Sequence, residues 1–537
     1  MDASLAVLVD ADTPRTNSVI CNGLATEHMK YAESYIDQVF RSAAKGFPEG
    51  LTYAGFKRCT PQEEFAIQTK KKGTRRTFDT ARSDIYMMQY FFKYKGVDLE
   101  PRFLFLPSVS DANCITLGGS KFNIAPILSD RVISVGVANI FVRLLRDKLT
   151  FERTSYHYMI DCKRETVQVS WASIYHKNSK MKKLKATVKA NCSLMHYLLC
   201  KYGFTDTFLK FGNCKPIIGG NEINKNVYPD EDWVICSSTQ VKPKGCGRGF
   251  YEPSQVRIAI RKEELTPLVK NMLGGFFYVV DHFSSRIQPS LEYVNSKRLW
   301  MILLGHIIFS GTINEGTLYS DIEDHITSLD EYLDSLVISK LKDIGVHVDT
   351  IYQLFALIIE HFNNWLLDAS DNVSSMYDKE LNVLYYVLYE ISSAIFKLYF
   401  KLKAASKKEL TVKEITAAMN VSLRTGLIFS ITKSHHGEVS TVSSSGDNKA
   451  FKITSMLRPQ SESSRIGGRK DRAVINDPTR RLHVSVAEIG GYSNLPKSAP
   501  DGRSRINPCV MVDSKGVVMR NPKFMQLLDE IQSIIKR

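Results

Sequence analysis

The stretch KEITAAMNVSLRTGLIFSITKSHH, residues 413–436, continues through EVSTVSSSGDN, residues 438–448, into KAFKITSMLRPQSESSRIGGRKDRAVINDPTRRLHVSVAEIGG, residues 449–491. It opens with helical spacing, breaks at a Ser/Gly/Asn/Asp tip, and resumes as a basic segment punctuated by Gly and Pro. Such punctuation excludes one long helix or one regular strand. From Lys449 to Arg537 there are 17 Lys+Arg against 8 Asp+Glu, a local charge of +9. An irregular basic segment of this length is suited to an anionic partner, and the rest of the chain narrows which one.

A chain of 537 residues exceeds one ordinary core, so several domains are expected. Hydrophobic residues at 44% and charged residues at 24% describe a folded globular protein. A net charge of +15 and a pI near 9.1 favour a polyanionic partner such as nucleic acid. The ten cysteines show no Cys-x-x-Cys pair and no regular spacing, which argues against zinc ribbons and disulfide scaffolds and for reduced, buried thiols in a cytosolic setting. The first residues, MDASLAVLVDADTPR, lack the basic start of a secretory signal. The most apolar window, LWMILLGHIIFSG at 299–311, is shorter than the roughly 20 residues of a membrane span. No membrane association is expected.

Along the chain, Lys70, Lys71, Lys72, Arg75 and Arg76 cluster around a glycine, as a solvated loop or a nucleic-acid contact. From Arg102 to Leu145, short apolar runs separated by Pro107, Asp111, Gly118, Gly119, Pro126 and Asp130 predict a small antiparallel sheet. Residues 150–265 alternate similarly. They carry a lysine cluster, Lys177, Lys180, Lys182, Lys183, Lys185 and Lys189, which reads as a hairpin tip or a contact to a DNA backbone. Between Leu318 and Leu402 the period becomes helical: Ile322, Ile326, Leu329, Leu333 and Val337; Ile351, Leu354, Ile358, Phe362 and Trp365; Leu384, Leu388, Ile391, Ile395, Leu398 and Leu402. Three or four helices are predicted, with Tyr385, Tyr386, Tyr389 and Tyr399 in their core. This stretch holds 14 Asp+Glu against 5 Lys+Arg, so acid is concentrated away from the basic segment.

Complete catalytic motifs are missing. No Gly-x-Ser-x-Gly and no His-Glu-x-x-His occurs. The glycines of KPKGCGRGFYEP, residues 242–253, lack the strand-then-helix context of a dinucleotide site and read as a turn. Asp10 and Asp12 follow an apolar run without a second acidic cluster, and His435 and His436 sit in a polar loop without a companion ligand. A solvated turn is the ordinary reading of both. Neither a catalytic residue nor a metal ligand is assigned to this chain, which fits a subunit of a larger nucleic-acid machine.

Three segments in order resemble the N-terminal half of the β subunit of multisubunit DNA-dependent RNA polymerases. The first is EPRFLFLPSVSDANCITLGGSKFNIAPILSDRVIS, Glu100 to Ser134, with Pro107 and the Gly118-Gly119-Ser120-Lys121 turn in the family's places. The second, NVLYYVLYEISSAIFKLYFKL followed by TVKEITAAMNVSLRTGLIFS, looks like the helices that lead to a Leu-Ala-Thr-Gly turn. Leu423, Arg424, Thr425 and Gly426 stand at that turn. The third, KAFKITSMLRPQSESSRIGG with TRRLHVSVAEIGG, looks like the fork segment and its Arg-Leu box at Arg480, Arg481 and Leu482. The family's Glu-Arg after the first glycine turn is absent. Its Thr-Pro-Glu-Gly box has no clear counterpart, Asn507-Pro508-Cys509 being nearest.

The resemblance implies a multidomain α+β fold. Its parts would be a protrusion-like part over 1–148, a lobe-like insertion over 149–315, a helical return over 316–412, and a fork-like basic segment with a final helix over 413–537. The chain stops where a full-length β subunit continues, similar to the split polymerases of giant bacteriophages. That implies a C-terminal β-like chain and β′-like chains as partners, a DNA template and an RNA–DNA hybrid as ligands, and catalytic Mg2+ on a β′-like partner with no cofactor on this chain. Arg480, Arg481, Arg503, Arg505 and Lys470 would contact nucleic acid, since Arg forks suit phosphate. Gln460 and Arg465 would line the nascent-RNA side, and Arg424, Thr425 and Gly426 would form a fork loop. The expected setting is the host cytoplasm, a phage-formed compartment, or the virion. The rival reading is a non-enzymatic basic phage protein that packs against DNA.

Overall fold

The structure, a computed structural model, describes residues 28–70, 83–109, 114–124, 127–135, 139–144, 148–177, 187–239, 252–282, 294–309, 314–329, 335–369, 379–405, 409–433, 439–441, 460–461, 484–485, 510–512 and 516–536, with 241, 291, 333, 375 and 377 singly. The chain divides into two compact units. One is discontinuous, Met1–Arg131 with Asn372–Arg537, and the other is Val132–Asp371.

The first unit begins with helix α1 (Ala32–Ala44), strand β1 (Leu51–Arg58), helix α2 (Pro61–Lys70) and strands β2 (Ile85–Tyr94), β3 (Val97–Asp98) and β4 (Arg102–Pro107). Strand β2 pairs antiparallel with β1, β3 and β4. Period-2 alternation puts Met88, Tyr90 and Phe92 on the buried face, where Phe40 of α1 meets Tyr53, Tyr90 and Phe92 at centroid distances of 5.1, 4.7 and 5.6 Å. Strands β5 (Cys114–Leu117) and β6 (Ser120–Ile124) form a hairpin. Its turn residues, Gly118 at φ +58° and Gly119 at φ +80°, take the left-handed conformations that a two-residue hairpin loop requires. Strand β7 (Ile127–Asp130) follows.

The second unit contains strands β8 (Ile133–Val135), β9 (Ile140–Arg143), β10 (Lys148–Ile160), β11 (Lys163–Lys177) and β12 (Thr187–Ser193), then helices α3 (Leu194–Tyr202) and α4 (Phe204–Gly212). Strands β13 (Ile217–Gly219), β14 (Trp233–Ser237) and β15 (Arg257–Arg261) precede helices α5 (Pro267–His282), α6 (Lys297–Ile308), α7 (Glu315–Leu329), α8 (Ser335–Asp343) and α9 (Ile351–Ala369). The sheet runs β12-β11-β10-β14-β15-β13, with β9 also on β10 and β8 on β9. Its core is continuous, from Phe151, Tyr158 and Val169 of the sheet to Phe276, Trp300, Ile322 and Tyr352 of the helices. The apolar window at 299–311 is therefore largely a core helix, and among the described residues no helix is long and apolar enough to cross a membrane.

The chain then returns to the first unit through strand β16 (Lys379–Asn382), helices α10 (Leu384–Val387), α11 (Tyr389–Ala405) and α12 (Val412–Ser422), and a 3-10 helix at Leu427–Lys433. Strands β17 (Val439–Thr441), β18 (Gln460–Ser461), β19 (Val510–Val512) and β20 (Val518–Arg520) and helix α13 (Pro522–Ile535) complete it.

The α+β class holds. The single small sheet expected over 102–145 is corrected: β4, the β5–β6 hairpin, β7 and the β8–β9 pair belong to four different sheets, because each finds its remaining partners elsewhere in the chain. Residues 194–212, expected to alternate like their surroundings, are two helices separated by Gly203 at φ +81°. Among the described residues the helical region holds five helices between 315 and 405. The periodic positions Ile322, Ile326, Leu329, Ile351, Leu354, Ile358, Leu388, Ile391, Ile395 and Leu398 are buried. Tyr399 is buried too, but Tyr389 is exposed at the start of α11, contrary to its expected place in the core. Cys59, Cys114, Cys192, Cys200, Cys214 and Cys236 are buried and form no disulfide among the described residues, while Cys162 lies exposed in the tight β10–β11 turn. Lys177 pairs with Thr187 where β11 meets β12, so the lysine cluster spans a β-hairpin connection whose residues 178–186 lie outside the described ones.

Burial in the second unit sets a pH response. His196, whose Nε2 lies 2.9 Å from the Trp300 carbonyl oxygen, has its pKa pushed down to about 4 by desolvation. The unfolded chain takes up a proton below about pH 6.5 and the folded chain resists it, so stability present above that pH is lost as pH falls toward 4. The cost reaches ~3 kcal/mol. Urea melts between pH 7 and 4 are expected to show this loss in the wild type and a smaller one in His196→Gln; parallel curves would contradict the assignment to His196.

Candidate nucleic-acid interface

Arg424, Thr425 and Gly426, the residues expected to form a fork loop, sit at the junction between the first segment and the returning one. Helix α12 starts with a full capping box: Thr411 Oγ1 accepts from Glu414 N at 3.3 Å, and the Glu414 carboxylate accepts from Thr411 N at 2.8 Å. The helix ends at Ser422 with Leu423 as its C-cap, and the turn Arg424–Gly426 leads into the 3-10 helix, with Leu427 N donating to Arg424 O at 3.3 Å and Phe429 N to Gly426 O at 3.1 Å. Strand β4 holds this turn, since Phe105 N donates to Thr425 O at 3.1 Å and the Phe105 and Phe429 rings meet edge-on at 6.5 Å. Arg424 and Gly426 are exposed and Thr425 is half-buried. The loop is thus presented at the surface from a fixed base.

Beneath it lies a residue that sequence reading passed over. Arg102 continues the buried face of β4 with Leu104 and Leu106, and only 6% of it is exposed. Its Nη1 donates to Asn420 Oδ1 on α12, and its Nη2 lies 3.9 Å from the Glu100 carboxylate. Among the described residues, Nε and Nη2 have no hydrogen-bond partner. Desolvation pushes the Arg102 pKa down, against the pull of Glu100. The signal was available in the strict alternation of RFLFLP, which puts this arginine on the same face as two leucines. Nearby, Tyr94 Oη donates to Leu410 O at 2.7 Å, and Lys95 pairs with Glu409, raising the lysine pKa and lowering that of the glutamate. That ion pair is exposed and adds little stability.

The basic segment is anchored on a second sheet of the same unit. Strand β7 pairs antiparallel with β16, from Asp130↔Lys379 to Ile127↔Asn382, and parallel with β18, where Gln460 is opposite Ile127. Lys379 Nζ also bonds the Asp130 carboxylate, and Arg131 Nη2 donates to Tyr377 O at 2.8 Å. After the basic stretch the chain comes back to this sheet: Glu380 bridges to Val517, Leu381 N donates to Gly516 O at 2.7 Å, and Val518 is buried. Described residues on either side of 462–509 thus contact one sheet, 460–461 through β7 and 516–517 through β16.

Of the residues predicted for nucleic-acid contact, Gln460 lies in β18. The 424–426 turn is attached to β4, so these two parts lie on different sheets of one unit. Arg465, Lys470, Arg480, Arg481, Arg503 and Arg505 lie outside the described residues, as do Asp10, Asp12, His435, His436 and most of 242–253. Among the described residues no three His, Cys, Asp or Glu side chains converge as a metal site.

These features define a two-unit α+β protein whose discontinuous first unit carries a tethered basic segment. The family model for a non-virion RNA polymerase subunit matches residues 10–533, nearly the whole chain. The chain therefore belongs to that family, and is a subunit of a phage RNA polymerase. Of the expected settings, the family description selects the polymerase that is not packaged in the virion. It does not favour the rival DNA-packing protein. A search of the curated proteins finds no match.

Two substitutions test the junction. Asn420→Ala, which leaves the buried Arg102 guanidinium without its acceptor, is expected to destabilise the first unit by roughly 1.5–3 kcal/mol, read by urea titration. Arg102→Met, which removes the charge and keeps the stem, is expected to cost less. The reverse order would contradict the burial argument. Gly516 is at φ +88°, and a Cβ there would lie 2.2 Å from Leu381 O. Gly516→Ala is accordingly expected to destabilise by at least about 1–3 kcal/mol and to speed amide exchange at Leu381; unchanged exchange would show that this tether is dispensable.

Proposed function

We propose that this subunit is the N-terminal, β-like half of a split β chain, forming one wall of the cleft that holds DNA and the RNA–DNA hybrid. The observation that carries the reading is the discontinuous first unit: residues 28–131 and 379–433 share one body, while 132–371 fold as a separate unit between them in sequence. That organisation supports a protrusion-like body completed by returning helices, with a lobe-like insertion. The tethered basic segment supports a fork, and the 424–426 turn on β4 a fork loop.

In this reading the chain contributes positioning and charge. Arg480, Arg481, Arg503, Arg505 and Lys470 contact phosphates of template or hybrid, Gln460 and Arg465 face nascent RNA, and the acidic helical region stays away from the polyanion. A C-terminal β-like chain and β′-like chains complete the enzyme, and the Mg2+ ions of nucleotidyl transfer belong to a β′-like partner.

Affinity capture of the tagged chain from infected cells is expected to recover β′-like chains bearing an Asp-rich catalytic loop in stoichiometric amount; recovery only as a homo-oligomer would contradict the proposal. In the reconstituted enzyme, Arg480→Ala with Arg481→Ala is expected to lower the slope of log affinity against log salt by about 0.9 for each phosphate that is no longer neutralised. An unchanged slope and elongation rate would remove those two arginines from the interface.

A further inference from the structure

Among the described residues, nothing covers the apolar face of helix α13. The start of this helix is well made: Pro522 occupies the first turn, and the side-chain oxygen of Asn521 accepts from Lys523 N at 3.2 Å. Its base is fixed, because Val518 is buried and Arg520 Nε donates to Tyr377 Oη at 3.2 Å. Beyond that base Leu527, Ile531, Ile534 and Ile535 are 54, 43, 69 and 77% exposed. Ile531 stands four residues after Leu527 and three and four residues before Ile534 and Ile535, which puts them on one side of the helix, with Gln526, Asp529, Glu530 and Ser533 around the remainder.

An uncovered amphipathic helix of 14 residues is marginal in water, so a folded α13 calls for a cover over this stripe. A second copy of the helix is a poor cover. A helix about 21 Å long and about 10 Å across offers far less than the roughly 1,200–2,000 Å² of a stable specific interface. A groove closes around more of the helix and brings its own walls to the contact. The chain is a polymerase subunit, so other subunits are available to supply one.

We propose that α13 is a docking helix whose Leu527–Ile531–Ile534 face inserts into an apolar groove on another subunit of the same polymerase. The inference rests on the polymerase reading above and adds the element that makes the contact.

The test uses the full chain co-expressed with the other polymerase subunits. Ile531→Lys with Ile534→Lys is expected to reduce subunit recovery at least about tenfold while leaving the chain's own thermal melt unchanged. Val227→Lys, on an exposed loop of the second unit, is expected to recover subunits as the wild type does. A photoreactive cross-linker on Ile534→Cys is expected to capture another subunit. Full recovery by the double lysine variant, or capture of a second copy of this chain, would overturn the docking helix and leave the polymerase reading standing. Failure of the wild type itself to recover other subunits would overturn both.

Discussion

Strand β7 has only four residues, and neither of its sheet partners is near it in sequence. Asp130 pairs with Lys379 and Ile127 with Gln460, so a backbone that would otherwise expose two open edges is satisfied by segments roughly 250 and 330 residues further on. Everything distinctive about the first unit follows from that closure. It makes the unit discontinuous, leaves 132–371 to build its own core, and fixes the point from which the basic segment departs. The return through Gly516 and Val517 closes the same sheet from the other side. The Arg102–Asn420 bond and the Tyr94 contact to Leu410 tie the β2–β4 sheet to the returning helices.

Much of this was legible in the sequence, and the limits have physical causes. Helical spacing identified the buried positions of α7, α9 and α11, because one-sided burial writes a 3.6-residue period directly into the chain. The Gly118-Gly119 turn was readable because two successive positive φ angles leave few other residues admissible. Sheet membership was not readable. Alternation reports which face of a strand is buried and says nothing about its neighbour, so six strands adjacent in sequence, β4 to β9, were assigned to one sheet and belong to four. Tyr389 was misplaced because periodicity gives a face without giving the helix its start: α11 begins at that residue, beyond the cover its later turns enjoy.

The candidate site was legible as composition and order. A run of arginines after a helical, acidic region pointed to a polyanion and to a larger machine, and the family match agrees with a polymerase subunit. What the sequence left out was the support. Arg102 looks like an ordinary charge in an apolar strand until its face is counted, and Asn420 like a polar residue near a helix end. Together they tie β4 to α12, while Phe105 on the other face of β4 holds the 424–426 turn.

The central claim is that the tethered basic segment of this subunit lines the nucleic-acid cleft. Photocrosslinking from template DNA and from the 3′ end of RNA in stalled elongation complexes, followed by peptide mapping, tests it most directly. Adducts on peptides between 449 and 509 of this chain are predicted. Adducts confined to other subunits, in complexes that contain this chain in full amount, would contradict it.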